Sequence, residues 1–275
     1  MVTATFRFYD ELNDFLPRTR RGREFATPCA HAATVKHMIE ALGVPHTEAA
    51  LVLVNGEAGG FGRLLEEGDR VAVYPRVVTL DVTALSHLPQ LLKGSRGSQR
   101  SQAPQESQAA PRFVADAHLG GLARLLRMAG FDTLYDNGYH DDEIERVARE
   151  EGRVLLTRYR ELLKRRTVEL GCYLHAIDPS EQLRELLARL QLAGKLRPFT
   201  LCLHCNLPLR PVAKEAVLAQ LPPRVSATQD EFTTCDACRR VYWKGSHHAR
   251  MCAMLGSVAA RAADVELPRS PNPDA

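Results

Sequence analysis

The sequence predicts an α/β chain in three parts. A small strand-and-helix unit comes first, then a parallel sheet with helices on both faces, then a short module built on cysteines. Three observations predict it. Apolar residues alternate and then recur at helical spacing within 1–80. Strand and helix patterns alternate from Arg112 to about residue 200. Two Cys-x-x-Cys pairs follow at Cys202/Cys205 and Cys235/Cys238.

The front unit takes its elements from local pattern. Val2, Ala4, Phe6 and Phe8 alternate with Thr3, Thr5 and Arg7, the period of a half-buried strand. Thr34 is placed to cap a helix whose apolar face is Val35, Met38, Ile39 and Leu42. Leu51–Val54 reads as a buried strand ending in the turn pair Asn55-Gly56, and Arg70–Tyr74 as a last strand stopped by Pro75. Strand, helix, strand, strand in about eighty residues has the look of a β-grasp, ubiquitin-like fold.

Composition changes across 81–111. The run KGSRGSQRSQAPQESQAAP is poor in large apolar residues, so burial cannot offset the entropy of ordering it, and a flexible linker is expected. Beyond it, strands are expected at Phe113–Ala115, Thr133–Tyr135, Val154–Leu156 and Tyr173–Ile177. Helices are expected at Leu119–Ala129, Asp142–Glu151, Glu161–Arg166 and Ser180–Leu192. Gly130 and Gly152 stand where left-handed helix caps belong. Ligands of such sheets gather at the carboxyl ends of the strands. Short strands and turns are expected around the cysteines over 201–255, and a tail that is Pro-rich at its end over 256–275.

Length and charge bound the function. At 275 residues and 45% hydrophobic content the chain can build two or three compact units. A formal net charge of +3 makes any basic surface a local one. No secretory leader pattern opens the sequence, and no run reaches the ~18 apolar residues of a membrane span. Seven cysteines, four of them in paired metal-type spacing, point to a reducing compartment, with the cytoplasm as the expectation.

Each Cys-x-x-Cys can fold into a knuckle that puts two thiolates on one side of a tetrahedral ion, and two pairs complete a closed site. Four unrelated buried thiols, or one redox-active pair, are the alternatives; identical spacing in both pairs favours structural Zn²⁺. The gap between pairs holds Pro208, Pro211, Pro222 and Pro223, which would break it as hairpin loops do.

A second constellation is acidic. Asp116 follows the first strand of the parallel sheet, Asp136 the second, and Asp141, Asp142 and Glu143 open the next helix. Carboxylates from several strand ends are how such a sheet would hold Mg²⁺ or Mn²⁺ for phosphodiester hydrolysis. Asp141–Glu143 are equally apt helix-start residues, and Asp116 is equally apt as a helix cap. Arg158, Arg160, Lys164, Arg165 and Arg166 crowd the chain after the third strand, as phosphate-binding residues or as a solvated helix face. Arg239, Arg240, Lys244, His247, His248 and Arg250, with Tyr242 and Trp243, form a second basic and aromatic run. It would serve as a stacking platform or as the cover of a zinc-centred core.

The run FVADAHLGGLARLLRMAGFDTLYDN, then DDEIERVAREEGRVLLTRYRELLKRR, then LCLHCNLPL and CDACRRVYWKGSHHARM, strongly resembles the Mut-seven-C RNase family over about 112–251. The resemblance implies a PIN-like nuclease domain over 112–200 and a zinc ribbon over 201–255. It further implies metal-dependent RNA cleavage by strand-end acids, with Mg²⁺ or Mn²⁺ as the catalytic ion. Asp116 matches the family's first acid and Asp142 the acid at the helix start, with Asp141 and Glu143 beside it. The third acid is expected at the position that Tyr159 fills in LLTRY. A phenol, with a pKa of about 10, is neutral at pH 7 and replaces a carboxylate poorly as a Mg²⁺ ligand. Glu161 or Asp178 would have to substitute.

The first eighty residues resemble the ubiquitin-like domain of sulfur-carrier type that precedes this RNase domain in bacterial proteins. Carriers of that kind end in a free Gly-Gly, whereas Gly59-Gly60 here is internal, so protein docking or regulation is the expected role. Two functional expectations result: a ribonuclease, or an RNA-binding or ribosome-associated adaptor whose acidic site has decayed at Tyr159.

Overall fold

The computed structural model describes residues 1–75 and 110–264. The linker stretch up to residue 109 and the Pro-rich end from 265 lie outside the described residues. By its internal contacts the chain divides into two compact units. The first takes in residues up to 75 with 148–151 and 157–173; the second takes in 110–147, 152–156 and 174–264.

In the first unit β1 (Val2–Phe8) pairs antiparallel with β2 (Phe25–Cys29). Helix α1 (Val35–Ala41) follows, then β3 (Ala49–Val54), β4 (Glu57–Ala58) and β5 (Arg70–Pro75). The sheet order is β2-β1-β5-β3-β4, with β1 and β5 parallel at its centre, the mixed sheet of a β-grasp. The Thr34 hydroxyl accepts the His37 N–H at 3.2 Å, and Val35, Met38 and Ile39 are buried, as the helical spacing requires. Asn55 and Gly56 both take positive φ, 56° and 85°, the conformation that closes a two-residue hairpin between β3 and β4. Strand β2 was not foreseen. It lies at the sheet edge, which is where a strand carrying a proline, here Pro28, can sit.

The second unit begins with β6 (Phe113–Ala115), α2 (Gly120–Ala129), β7 (Thr133–Tyr135), α3 (Asp141–Glu151) and β8 (Val154–Thr157). Strand β6 pairs in parallel with β7 on one side and β8 on the other. All three β6 side chains are buried, as are Leu122 and Leu126 of α2, and the larger of them (Phe113, Val114 and the two leucines) are each worth about 1.5–3 kcal/mol of burial. Gly130 ends α2 with φ of 91°, and a Cβ there would stand 2.1 Å from the carbonyl oxygen of Arg197. Gly152 also has positive φ, 61°. Helix α4 (Arg160–Leu163) and β9 (Gly171–Tyr173) fall in the first unit, and α5 (Pro179–Arg189) in the second.

The expected strand Tyr173–Ile177 is corrected to β9. The next residues give their main-chain N–H groups to a side chain instead of a ladder: His175 and Ala176 both donate to the Glu185 carboxylate, and Ile177 is 78% exposed.

Strand β10 (Arg210–Val212) pairs with β11 (Phe232–Thr234), separated from it by two short helices, α6 (Lys214–Val217) and α7 (Pro223–Thr228). Strand β12 (Val241–Trp243) completes a three-stranded antiparallel sheet. The gap between the cysteine pairs is therefore part helical: Pro223 opens α7 and Pro211 sits in β10. The last element, α8 (Ser246–Ala263), is an 18-residue helix packed against α5, where turns and tail were expected. Among the described residues no helix is long and apolar enough to cross a membrane.

Candidate functional site

The strongest site is the cysteine module. The four ligand sulfurs of Cys202, Cys205, Cys235 and Cys238 lie within 4.8 Å of one another, and among the described residues they form the one group of three or more potential metal ligands. The two knuckles share one backbone form. Asn206 N–H donates to the Cys202 carbonyl at 2.9 Å and Arg239 N–H to the Cys235 carbonyl at 2.8 Å. Asn206 and Arg239 both turn left-handed, with φ of 63° and 58°. That repeat is what the matched Cys-x-x-Cys spacing encodes.

The surroundings favour a thiolate at Cys202 and Cys238. The Tyr242 hydroxyl lies 3.2 Å from Cys202 Sγ, placed to donate to it, and burial together with that bond pushes the phenol's own pKa up. At Cys238 burial raises the thiol pKa, but hydrogen bonds from Arg240 and the neighbouring thiols outweigh it and bring the value to about 6. Cys205 is pushed up to about 12 by burial and by Cys238 and Cys235 beside it. Four thiols this close cannot all ionise without a cation among them, so the donor set fits a tetrahedral, sulfur-seeking ion.

The module is wired into the parallel sheet. The guanidinium of Arg127, near the end of α2, is buried; its Nε donates to the Thr133 carbonyl at 2.9 Å, and its Nη1 to the carbonyls of Leu203 and His204 at 3.2 and 2.8 Å. From the first knuckle Asn206 reaches the edge strand β7, accepting the buried Thr133 N–H at 2.9 Å and donating to Asp132 at 2.5 Å. Asp132 in turn holds Arg153 through two bonds of 2.8 and 3.2 Å. Burial pushes the Asp132 carboxyl up, yet the bonds from Arg153 and Asn206 prevail and hold it below the ordinary carboxylate range. Sequence reasoning missed Arg127, Asp132 and Asn206. The available signal was the residue after each knuckle's second cysteine, a left-handed position that Asn tolerates.

The acids are placed as follows. Asp116 lies directly after β6, its N–H donating to the Leu156 carbonyl of β8 at 3.1 Å. Its side chain is only 13% exposed, and Oδ1 accepts the His118 N–H at 2.8 Å, capping a short 3-10 turn. The carboxylate is thus both strand-end residue and cap, the two roles its sequence position allowed. Asp141, Asp142 and Glu143 form the first turn of α3, with Asp142 and Glu143 exposed. Asp136 Oδ1 accepts the Gly138 N–H at 2.8 Å. Asp178 caps α5 through the N–H groups of Ser180 and Glu181, and Glu161 pairs with Lys164 at 2.8 Å. Tyr159 is 54% exposed at the start of α4.

The basic cluster divides. Arg158 and Arg166 are exposed, and Lys164 and Arg165 are half-buried. Arg160 serves packing: its guanidinium lies 5.0 Å from the Phe15 ring and 5.6 Å from the Tyr173 ring, and it donates to the Phe15 carbonyl at 3.3 Å. The same part of the first unit holds Glu48, fully buried, whose carboxylate accepts the Tyr173 N–H at 2.6 Å.

A β-grasp unit followed by a parallel α/β domain, with a four-cysteine module bonded to that domain's edge strand, is the class that fold and site define. Residues 111–255 match the Mut7-C RNAse domain and residues 1–81 match the Mut7-C ubiquitin domain, and the chain belongs to the Mut7-C RNase family, a ribonuclease-type family. Two solved structures are similar to the front of the chain. One is the small archaeal modifier protein 1 of H. volcanii, at 22% identity over 27% of this chain and 98% of that one, with a TM-score of 0.23. The other, titled SAMP1 from Haloferax volcanii, is 23% identical over 28% of this chain and 97% of that one, with the same TM-score of 0.23. No curated protein matches the chain.

Proposed function

We propose that this protein is a metal-dependent ribonuclease of PIN-like type, and that its cysteine module holds one structural Zn²⁺. The observation that carries the reading is Asp116. It is a nearly buried carboxylate fixed at the carboxyl end of the central strand of a parallel sheet, in a chain of a ribonuclease-type family.

Oxygen donors suit Mg²⁺ or Mn²⁺, so the acids fit in kind. In number they fall short: no three acids gather among the described residues, and Tyr159 stands where the resemblance expects the third. Asp116 and Asp142 would hold the ion, with Asp141 and Glu143 beside them on the first turn of α3. A bound divalent ion supplies a water of lowered pKa and neutralises charge on the phosphate. The chain's own residues would do the rest. The His118 N–H holds the Asp116 carboxylate in one orientation, while Arg158, Lys164, Arg165 and Arg166 would attract the RNA backbone in a salt-dependent way. The division into a ubiquitin-like unit (1–80), an RNase domain (112–200) and a zinc ribbon (201–255) belongs to the same reading. So do cytoplasmic residence and a protein partner for the front unit.

A second reading has its own observation. The exposed phenol of Tyr159 stands where an acid is expected, which favours an RNA-binding adaptor that no longer cleaves. Cleavage of mixed single-stranded and structured RNA separates the two. Activity that EDTA abolishes and Mn²⁺ restores supports the enzyme, whereas activity that appears only in Tyr159→Asp supports the adaptor.

A further inference from the structure

The cysteine module contains a cleft of about 450 Å³ to which neither the metal centre nor the acids give a role. Its walls are apolar, part aliphatic (Leu201, Leu209 and Met251 among them) and part aromatic: Trp243, Tyr242, Phe232 and Phe199, with His248 lying against Phe199 at 4.2 Å between ring centroids. The walls are held in place. Tyr242 is tied through its hydroxyl to Cys202, Phe232 and Trp243 face each other across the β11–β12 pairing, and His248 is carried by α8. Gly245 leaves room for the indole, since a Cβ there would meet Trp243 Nε1 at 3.1 Å.

We infer that this cleft takes up an unstacked nucleobase of single-stranded RNA. The inference rests on the reading of the protein as RNA-directed and names a place where the RNA is held. A flat π ligand with polar edges matches aromatic faces in a lining that also carries both kinds of hydrogen-bonding group. The Lys244 ammonium is a donor there, and the carboxylates of Asp230 and Glu231 are acceptors. Both acids are balanced by cations: Glu231 pairs with Lys244 at 2.7 Å and Asp230 with Lys214 at 2.8 Å. Elsewhere in the module Arg239 and Arg250 are exposed and add positive charge that would suit the phosphates of a bound strand.

Trp243 is the chain's one tryptophan, so its fluorescence reports this cleft alone. The experiment uses the full zinc-loaded chain carrying Asp116→Asn, titrated with a labelled single-stranded oligoribonucleotide. Tryptophan emission and the label's anisotropy are followed together. The expected result is a saturable emission change that tracks the anisotropy curve. Trp243→Leu should weaken RNA binding about tenfold, the scale of one base–aromatic stack, and Trp243→Phe, which keeps a smaller aromatic face, by less. Anisotropy that saturates while Trp243 emission stays constant would overturn the cleft's role and leave RNA binding intact. No RNA binding at all would overturn both readings. Should Trp243→Leu fail to fold, the emission titration of the parent still decides.

Discussion

The side-chain oxygen of Asn206 accepts the main-chain N–H of Thr133 at 2.9 Å, across 73 residues of sequence. One residue thus belongs to both the first cysteine knuckle and the edge of the parallel sheet. Its amide nitrogen also reaches Asp132, so the knuckle feeds a chain of bonds that runs on to Arg153.

Asn206→Ala would leave the buried Thr133 N–H without its acceptor and Asp132 without one of its donors. A loss of about 1–3 kcal/mol is expected, the cost of an orphaned buried group. Chemical denaturation of the full chain measures it, and Asn206→Ser should recover part of it.

Metal removal should spread past the cysteines. Once the knuckles loosen, Arg127 loses its acceptors at Leu203 and His204, and β7 loses Asn206. Hydrogen exchange after zinc chelation should show lost protection in β10–β12 and at Thr133, with residues 1–75 unchanged. Equal loss in residues 1–75 would count against a separate module.

Gly130→Ala puts a Cβ into the Arg197 carbonyl at a residue with positive φ. Backbone strain of about 1–3 kcal/mol and the steric clash act together, so a lowered melting temperature is expected. Gly152→Ala should cost less, because positive φ is its sole handicap: a Cβ there meets nothing within 4 Å.

Asp132 gives the pH dependence its sign. Its folded-state pKa is depressed, so its stabilisation is fully present above the unfolded pKa of about 3.9 and is lost as pH falls through the folded value. Stability should therefore fall on acidification below about pH 4, and more gently in Asp132→Asn. Unfolding midpoints at pH 3 and pH 5 for both proteins give the comparison.

Local pattern made much of the fold legible. The alternation in β1, the capped periodicity of α1, the strands β6, β7 and β8 and the glycine cap at Gly130 all follow from neighbours within a few residues. Other elements carry no such signal. Helix α8 buries only Leu255, Val258 and Ala262 amid small and charged residues, so its apolar face is faint. The true end of β9 depends on Glu185, which draws the N–H groups of His175 and Ala176 out of strand pairing. At the site, the paired spacing betrayed the cysteines. The Asn206–Asp132–Arg153 chain joins residues 74 and 21 positions apart and leaves no trace in either local stretch.

The proposal is that Asp116 serves RNA cleavage and not RNA binding. It is tested most directly by comparing wild type with Asp116→Asn on one RNA in Mn²⁺, reading cleavage rate and affinity side by side. The expected rate for the variant is at least about 100-fold lower, with affinity within a few-fold of wild type. A wild-type protein that binds without cutting, or a variant that cuts at the wild-type rate, would contradict it.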